Sequence, residues 1–403
     1  MKLSFDKSVA VSDIDTVTAL LTRSGYNSIK QDLSLGAQIA SGTIYNISAG
    51  SWELLVEAKD SSGTVLYRGR ANVIIQESQT TYVSINLASA STSGDLAINV
   101  SWEQGDGISW TKYAANPVID LGPAGSWDEK SASIATVIYE GNLYKMWYTG
   151  YNGTLYQLGY ATSPDGINWT KYAGNPVMSC GAAGSWEAVI GGPSVIYDGI
   201  TYKMWYAGAD ASSKTRIGYA TSVDGINWTK YSGNPVLNVG ASGTWDATEV
   251  GNPSVLYDGT TYKMWFTGYN GSASRRTGYA TSPDGVNWIK YTGNPILSLG
   301  TSGTWDDVAN NAPCVIYTGT EYKMWYSGLD GYSWKIGYAS SPDGKTWTKY
   351  SGNPVISNGA AGTSDRGGAS HPVVLYNGIT YKMWYAGIDS IYLRTVLATS
   401  PKL

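Results

Sequence analysis

The chain has 403 residues, a net charge of −4 and only 14% charged residues, where soluble domains average about 25%. It carries no basic stripe, which argues against nucleic acid as a partner. No run approaches the roughly 18 consecutive apolar residues of a membrane span.

Residues 1–102 contain short runs of alternating character at 17–21, 51–58, 72–75 and 81–87, separated by turn signals such as Asp60-Ser61-Ser62-Gly63. Period-two runs at this spacing predict a β-sandwich. Residues 88–94 are small and polar and read as a linker or long turn. Residues 96–102 read as a last strand or a bridge. The expected division is therefore 1–102 and 103–403.

Beyond that boundary the phrase Tyr-Lys-Met-Trp recurs at Tyr144, Tyr202, Tyr262, Tyr322 and Tyr381, in steps of 58, 60, 60 and 59 residues. A fixed period of this size marks a repeat architecture. Within each copy, Asp-Gly or loop connections separate four short apolar runs, and Asp-Gly between such runs is a hairpin signal. Four antiparallel strands per copy describe a propeller blade. The last copy lacks its fourth strand, and a strand of that type stands in front of the first copy at 106–113. The expectation is an all-β chain: an N-terminal β-sandwich followed by a five-bladed β-propeller, closed by an N-terminal strand in the last blade so that no edge is left open.

Features present in every copy are expected to be structural. These include the acids of Trp127-Asp128, Trp186-Glu187, Trp245-Asp246, Trp305-Asp306 and Ser364-Asp365. They are predicted to cap loop amides or tie neighbouring blades together. The aspartate of each Ser-Xaa-Asp-Gly phrase is predicted to bond its own turn.

Function is sought instead where the copies differ. The residue opening the first inner strand is Ile134, Gly192, Asn252, Ala312 or His371, and the residue before it Ser133, Gly191, Gly251, Asn311 or Ser370. Glu249, Asp307 and Arg366 are copy-specific charges nearby. Tyr151, Arg275, Arg276 and Trp334 lie in or beside the loops between second and third strands. Asn252, Asn311, His371, Arg366, Ser133, Tyr151 and Trp334 form the candidate ligand-binding set, since neutral polar groups and aromatic rings suit a sugar.

The phrases Gly-Tyr-Ala-Thr-Ser-Pro-Asp-Gly-Ile-Asn-Trp (159–169), Tyr-Lys-Met-Trp-Tyr-Thr-Gly (144–150) and Gly-Ser-Trp-Glu (184–187) resemble the five-bladed propellers of glycoside hydrolase families 43 and 32 and relatives such as family 130. The first 102 residues resemble immunoglobulin-like or fibronectin-like modules, with no specific motif. The family resemblance implies carboxylates at the inner-strand starts, commonly with one before a proline. Glycosidic hydrolysis uses two carboxyl groups of different tuning. Here Gly192, Asn252, Ala312 and His371 precede Pro193, Pro253, Pro313 and Pro372, and the first copy has Ile134-Ala135. No acid occupies a matching position, and Glu249 and Asp307 are the substitute catalytic candidates.

Three readings follow: a carbohydrate-binding propeller outside the standard glycosidase mechanism, a glycoside hydrolase with loop-borne carboxylates, or a structural or adhesive surface protein. If the chain is an enzyme, it is expected to be a glycoside hydrolase. No cofactor and no metal site is expected, Cys180 and Cys314 are read as free thiols, and the chain is read as a monomer. The Ser/Thr/Asn/Gly/Tyr-rich style predicts an extracellular or cell-surface location, although no signal peptide is visible.

Overall fold

The computed structural model describes residues 2–4, 15–35, 40–43, 50–75, 82–84, 106–272, 274–377, 380–389 and 391–400. Regular structure among them is all β-strand, with no helix. The chain forms two compact units, Met1–Gln104 with Asn377–Ile379, and Gly105–Tyr376 with Thr380–Leu403.

In the N-terminal unit the strands are β1 (Lys2–Ser4), β2 (Thr16–Thr22), β3 (Ile29–Leu35), β4 (Ala40–Thr43), β5 (Gly50–Lys59), β6 (Val65–Ile75) and β7 (Tyr82–Ser84). They hydrogen-bond in the order β6-β5-β2-β3-β4-β1-β7. Strand β3 serves two neighbours: residues 29–33 pair with β2, and Ser34 and Leu35 pair with β4. Alternation decides the inner face, since β2 buries Val17, Ala19 and Leu21, and β5 buries Trp52, Leu54, Val56 and Ala58. The readings of 88–94 and 96–102 fall outside the described residues.

The second unit opens with β8 (Thr111–Lys112). The first copy of the repeat is β9 (Ser131–Glu140), β10 (Leu143–Tyr151), β11 (Tyr156–Ser163) and β12 (Thr170–Lys171). The second is β13 (Val189–Tyr197), β14 (Tyr202–Ala209), β15 (Thr215–Ser222) and β16 (Thr229–Lys230). The third is β17 (Glu249–Tyr257), β18 (Tyr262–Tyr269), β19 (Arg276–Ser282) and β20 (Ile289–Lys290). The fourth is β21 (Ala309–Tyr317), β22 (Tyr322–Leu329), β23 (Trp334–Ser341) and β24 (Thr348–Lys349). The last is β25 (Gly368–Tyr376), β26 (Tyr381–Ile388) and β27 (Leu393–Ser400). Strand β8 pairs antiparallel with β27, Ala398 opposite Lys112 and Thr399 opposite Thr111. The first copy has the same register at β11 and β12, with Ala161 opposite Lys171 and Thr162 opposite Thr170.

The Tyr-Lys-Met-Trp strands are buried almost continuously rather than alternately, because both of their faces pack on protein. Met146, Trp147 and Tyr148 are 0% exposed. Each strand tryptophan donates its indole N–H to the turn glycine of the next copy: Trp147 to Gly225 O at 2.6 Å, Trp205 to Gly285 O at 2.7 Å and Trp265 to Gly344 O at 2.8 Å. Trp325 then donates to Gly107 O at 2.7 Å, and Trp384 to Gly166 O in the first copy at 2.9 Å. The series returns to its start only because Gly107 stands before β8. Each of these carbonyls also receives the indole of its own copy, such as Trp228 at Gly225 O, so both lone pairs are used.

The aspartate of each Asp-Gly turn bonds its own loop. Asp165 Oδ1 accepts from the amides of Ile167 and Asn168, both at 2.8 Å, and from Ser163 Oγ at 2.9 Å. Burial pushes this carboxyl up, but those bonds outweigh it and hold the group down at about 2. The acids after the loop tryptophans tie each connection to its own copy rather than to a neighbour. Asp128 takes Lys171 Nζ at 2.6 Å and Tyr148 OH at 3.2 Å. In the last copy Asp365 takes Lys112 of β8, also at 2.6 Å.

Candidate functional site

All five inner strands are kinked where they begin. The ladder shifts register between Gly191 and Ser194, Gly251 and Ser254, Asn311 and Cys314, and Ser370 and Val373. In the first copy the shift lies opposite Tyr148 and Thr149. The bulged residues Ile134, Gly192, Asn252, Ala312 and His371 all take left-handed φ, between 46° and 56°. Glycine and asparagine accept that geometry readily, whereas a β-branched residue such as Ile134 is strained in it.

The bulges bring the five varying residues together around one small cavity of about 70 Å³, with the prolines and the Thr136, Ser194, Ser254, Cys314 and Val373 side chains behind them. A water needs on the order of 10–15 Å³ by this measure. The space therefore holds a few waters or one projecting hydroxyl or hydroxymethyl group, not a whole sugar ring. No aspartate or glutamate lines it.

Three bulge amides are held by hydroxyls of the preceding copy. Gly192 N donates to Thr149 Oγ1 at 3.2 Å, Ala312 N to Thr267 Oγ1 at 2.9 Å, and His371 N to Ser327 Oγ at 2.8 Å. At Asn252 and Ile134 the corresponding residues are Ala207 and Ala386, which offer no hydroxyl. The Asn252 amide oxygen occupies space above Gly192, since a Cβ there would sit 2.7 Å from it.

His371 Nδ1 lies 3.0 Å from Ser370 Oγ. Burial, helped by the charge of Arg275, holds the imidazole down at about 4, so the ring is neutral at pH 7 and able to accept as well as donate. Arg275 in turn pairs with Glu249, Nε to Oε2 at 3.0 Å, and lies 4.7 Å over the Tyr269 ring. Burial raises the Glu249 carboxyl and Arg275 opposes the rise.

Of the sequence candidates, Asn252 and His371 line the cavity. Asn311 is 5% exposed and its Oδ1 has no hydrogen-bond partner. Ser133 Oγ is 3.3 Å from Ser131 Oγ. Glu249 and Asp307 both lie off the cavity lining, and Asp307 Oδ2 accepts from Gly303 N of its own loop at 2.7 Å. Arg366 Nε donates to Asp389 O. Tyr151 donates to Gly153 O at 2.7 Å and stacks on Tyr156 at 4.1 Å. Trp334 opens β23 opposite Leu329.

Arg275 joins this set through its effect on His371. Its signal in the sequence is a cation where other copies have Tyr156, Thr215, Trp334 and Leu393. Both cysteines are free, and burial pushes the Cys314 thiol up to about 12. Among the described residues no group of three or more His, Cys, Asp or Glu could hold a metal ion.

No family model matches the chain. Over 230 residues it is 30% identical to the uncharacterized protein Rv1502 of Mycobacterium tuberculosis (strain ATCC 25618 / H37Rv), covering 54% of this chain and 73% of that protein. The uncharacterized protein MT1551 of strain CDC 1551 / Oshkosh matches with the same identity and coverage. The chain belongs to the family of these two mycobacterial proteins.

Among solved structures, a glycoside hydrolase is 19% identical with a TM-score of 0.58, covering 70% of this chain and 91% of its own. A glycosyl hydrolase from Bacteroides ovatus is 17% identical with a TM-score of 0.59, covering 73% and 94%. A GH130 structure, from work on mannoside phosphorylases and glycoside hydrolases that target β-1,2 mannosidic linkages in Candida mannan, is 16% identical with a TM-score of 0.56, covering 73% and 94%. These likenesses show a fold shared with the glycoside hydrolase β-propellers.

Proposed function

We propose that the chain is a carbohydrate-binding protein built on a glycosidase-type five-bladed propeller, and that it does not use the two-carboxylate mechanism. One observation carries this reading: Ile134, Gly192, Asn252, Ala312 and His371 meet at the axial cavity with no acid among them. Glycosidic hydrolysis needs two carboxyl groups about 5–10 Å apart across the bond, whereas the neutral His371 imidazole and the Asn252 amide suit sugar hydroxyls. In this reading strand β8 closes the fifth blade, residues 103–403 are the propeller, and residues 1–102 are an immunoglobulin- or fibronectin-like sandwich. The protein acts outside the cell or on its surface, as a monomer, with carbohydrate rather than nucleic acid as its partner.

A glycan array followed by calorimetry tests this. Asn252→Ala and His371→Ala should each weaken binding about tenfold or more, on the order of 1.4 kcal/mol, in protein that circular dichroism shows to be folded. A folded protein that binds no glycan defeats the reading. A second reading, a hydrolase, is favoured by the half-buried Glu249 with its raised carboxyl beside Arg275. Release of reducing sugar by the wild type, abolished in Glu249→Gln, would establish that alternative.

A further inference from the structure

Two cavities larger than the axial one lie away from the axis. One of about 470 Å³ lies between the 118–128 connection and the outermost strand β12. Another of about 330 Å³ reaches from β12 to Tyr113 and Ala115. Both are lined by Val118 and Trp169, so they adjoin at these two residues along the outermost strand and form two lobes. Each lobe alone lies within the roughly 300–1,000 Å³ typical of small-molecule sites.

The groove is rigid and electrically balanced. Trp169 is fixed by its N–H bond to Gly166 O at 3.1 Å and by edge-on contact with Trp384 at 6.0 Å. Tyr172, 41% exposed, stands beside it and packs edge-on against Tyr160. The charged groups are already matched: Lys171 with Asp128 at 2.6 Å, and Asp120 with Arg394 at 2.7 Å. A charged ligand would find no unpaired opposite charge among these groups. A neutral ligand with alternating C–H faces and hydroxyl edges needs none, and held aromatic rings offer it contact area at little entropic cost. The groove is also particular to this copy in part, because Asp120, Leu121 and Pro123 are replaced by Ser179, Cys180 and Ala182 in the next.

We propose that this rim groove is a second binding site, for a neutral oligosaccharide that lies across Trp169 and occupies both lobes. The choice of sugar as ligand rests on the carbohydrate reading above, but the site is separate from the axial cavity. Trp169 and Trp127 are structural as well, so they are poor test positions. Ala115 and Ala173 are exposed, and each lines one lobe, which makes Ala115→Arg with Ala173→Arg a blocking variant that leaves the packing intact.

The experiment is affinity electrophoresis of the full chain in native gels containing starch, xylan, arabinan, mannan, galactan or mixed β-glucan, with circular dichroism as the folding control. Retardation by at least one polymer is expected, reduced at least fivefold in the Ala115/Ala173 variant and largely kept in Asn252→Ala/His371→Ala. Retardation lost in the axial variant but untouched in the rim variant overturns this site and leaves the proposed function standing. Wild type that no polymer retards, while short glycans still bind the array, overturns the rim site alone. Absence of binding in both assays overturns both.

Discussion

The two ends of the paired first and second strands of each copy follow opposite rules. At the hairpin end the five copies are nearly identical, and each tryptophan bonds the turn of the next copy in a series that closes through Gly107. At the loop end all five share one backbone device, the left-handed bulge, yet no two place the same side chain on it. Repetition holds the ring together, and the positions that face the axis are free to vary. A side chain at a bulge faces the cavity and takes no part in the tryptophan–glycine series, so changing it leaves those bonds in place.

The strongest way to break this contrast is at the hairpin end. Trp205→Ala should lose about 3–5 kcal/mol in urea melts, because a side chain that is 0% exposed leaves a cavity. Trp205→Phe keeps most of the packing and should lose only about 0.5–1.5 kcal/mol, as Gly285 O still receives Trp288 at 2.9 Å. Asp365→Asn should cost less than the alanine change, about 2 kcal/mol, and should speed proteolysis ahead of β8, since it removes the charge that holds Lys112.

At the loop end smaller effects are expected. His371 is held at about 4 when folded against an ordinary 6.5. The unfolded chain therefore binds the extra proton between these values. Stability should fall on acidification from about pH 6.5 to about pH 4, by at most about 1.4 kcal/mol per pH unit. His371→Asn should flatten that part of the curve, and an unchanged slope would mean the imidazole is not buried as described. Smallest of all, Ile134→Gly should raise stability by up to about 1 kcal/mol by relieving left-handed strain. Gly192→Ala should lower it by about the same amount and displace the Asn252 amide, weakening axial binding. Stability changes of the same sign from these two substitutions would sink the claim that backbone geometry governs this end.

Much of the architecture is readable because its signals are local. Strand periodicity, the Asp-Gly turns and the step of about 60 residues are written in neighbouring residues, and so is the match between 106–113 and the fourth strands of the other copies. In the N-terminal unit β2 and β5 alternate visibly, whereas β3, Ile-Lys-Gln-Asp-Leu-Ser-Leu, is too polar to stand out and becomes a strand through its partners. At the candidate site the varying positions are identifiable, but not what they share. A bulge is a relation between two strands, and Ile134 or Ala312 carries no residue signal for left-handed φ. The repeated acids are expected from the sequence to cap loops or join blades; their lysine partners lie 43 or 44 residues away in four copies and at β8 in the last, a pairing only the folded chain displays.

The sequence by itself determined the all-β class, the repeat and its period, and the absence of acids before the inner-strand prolines, because each is a property of residue type and spacing along the chain. Only the tertiary structure decided that Asn252 and His371 share a cavity, that Arg275 pairs with Glu249 while its charge disfavours protonation of His371, and that two larger spaces lie at the rim. Those are distances between segments far apart in the chain, set by ring packing and not by any local preference.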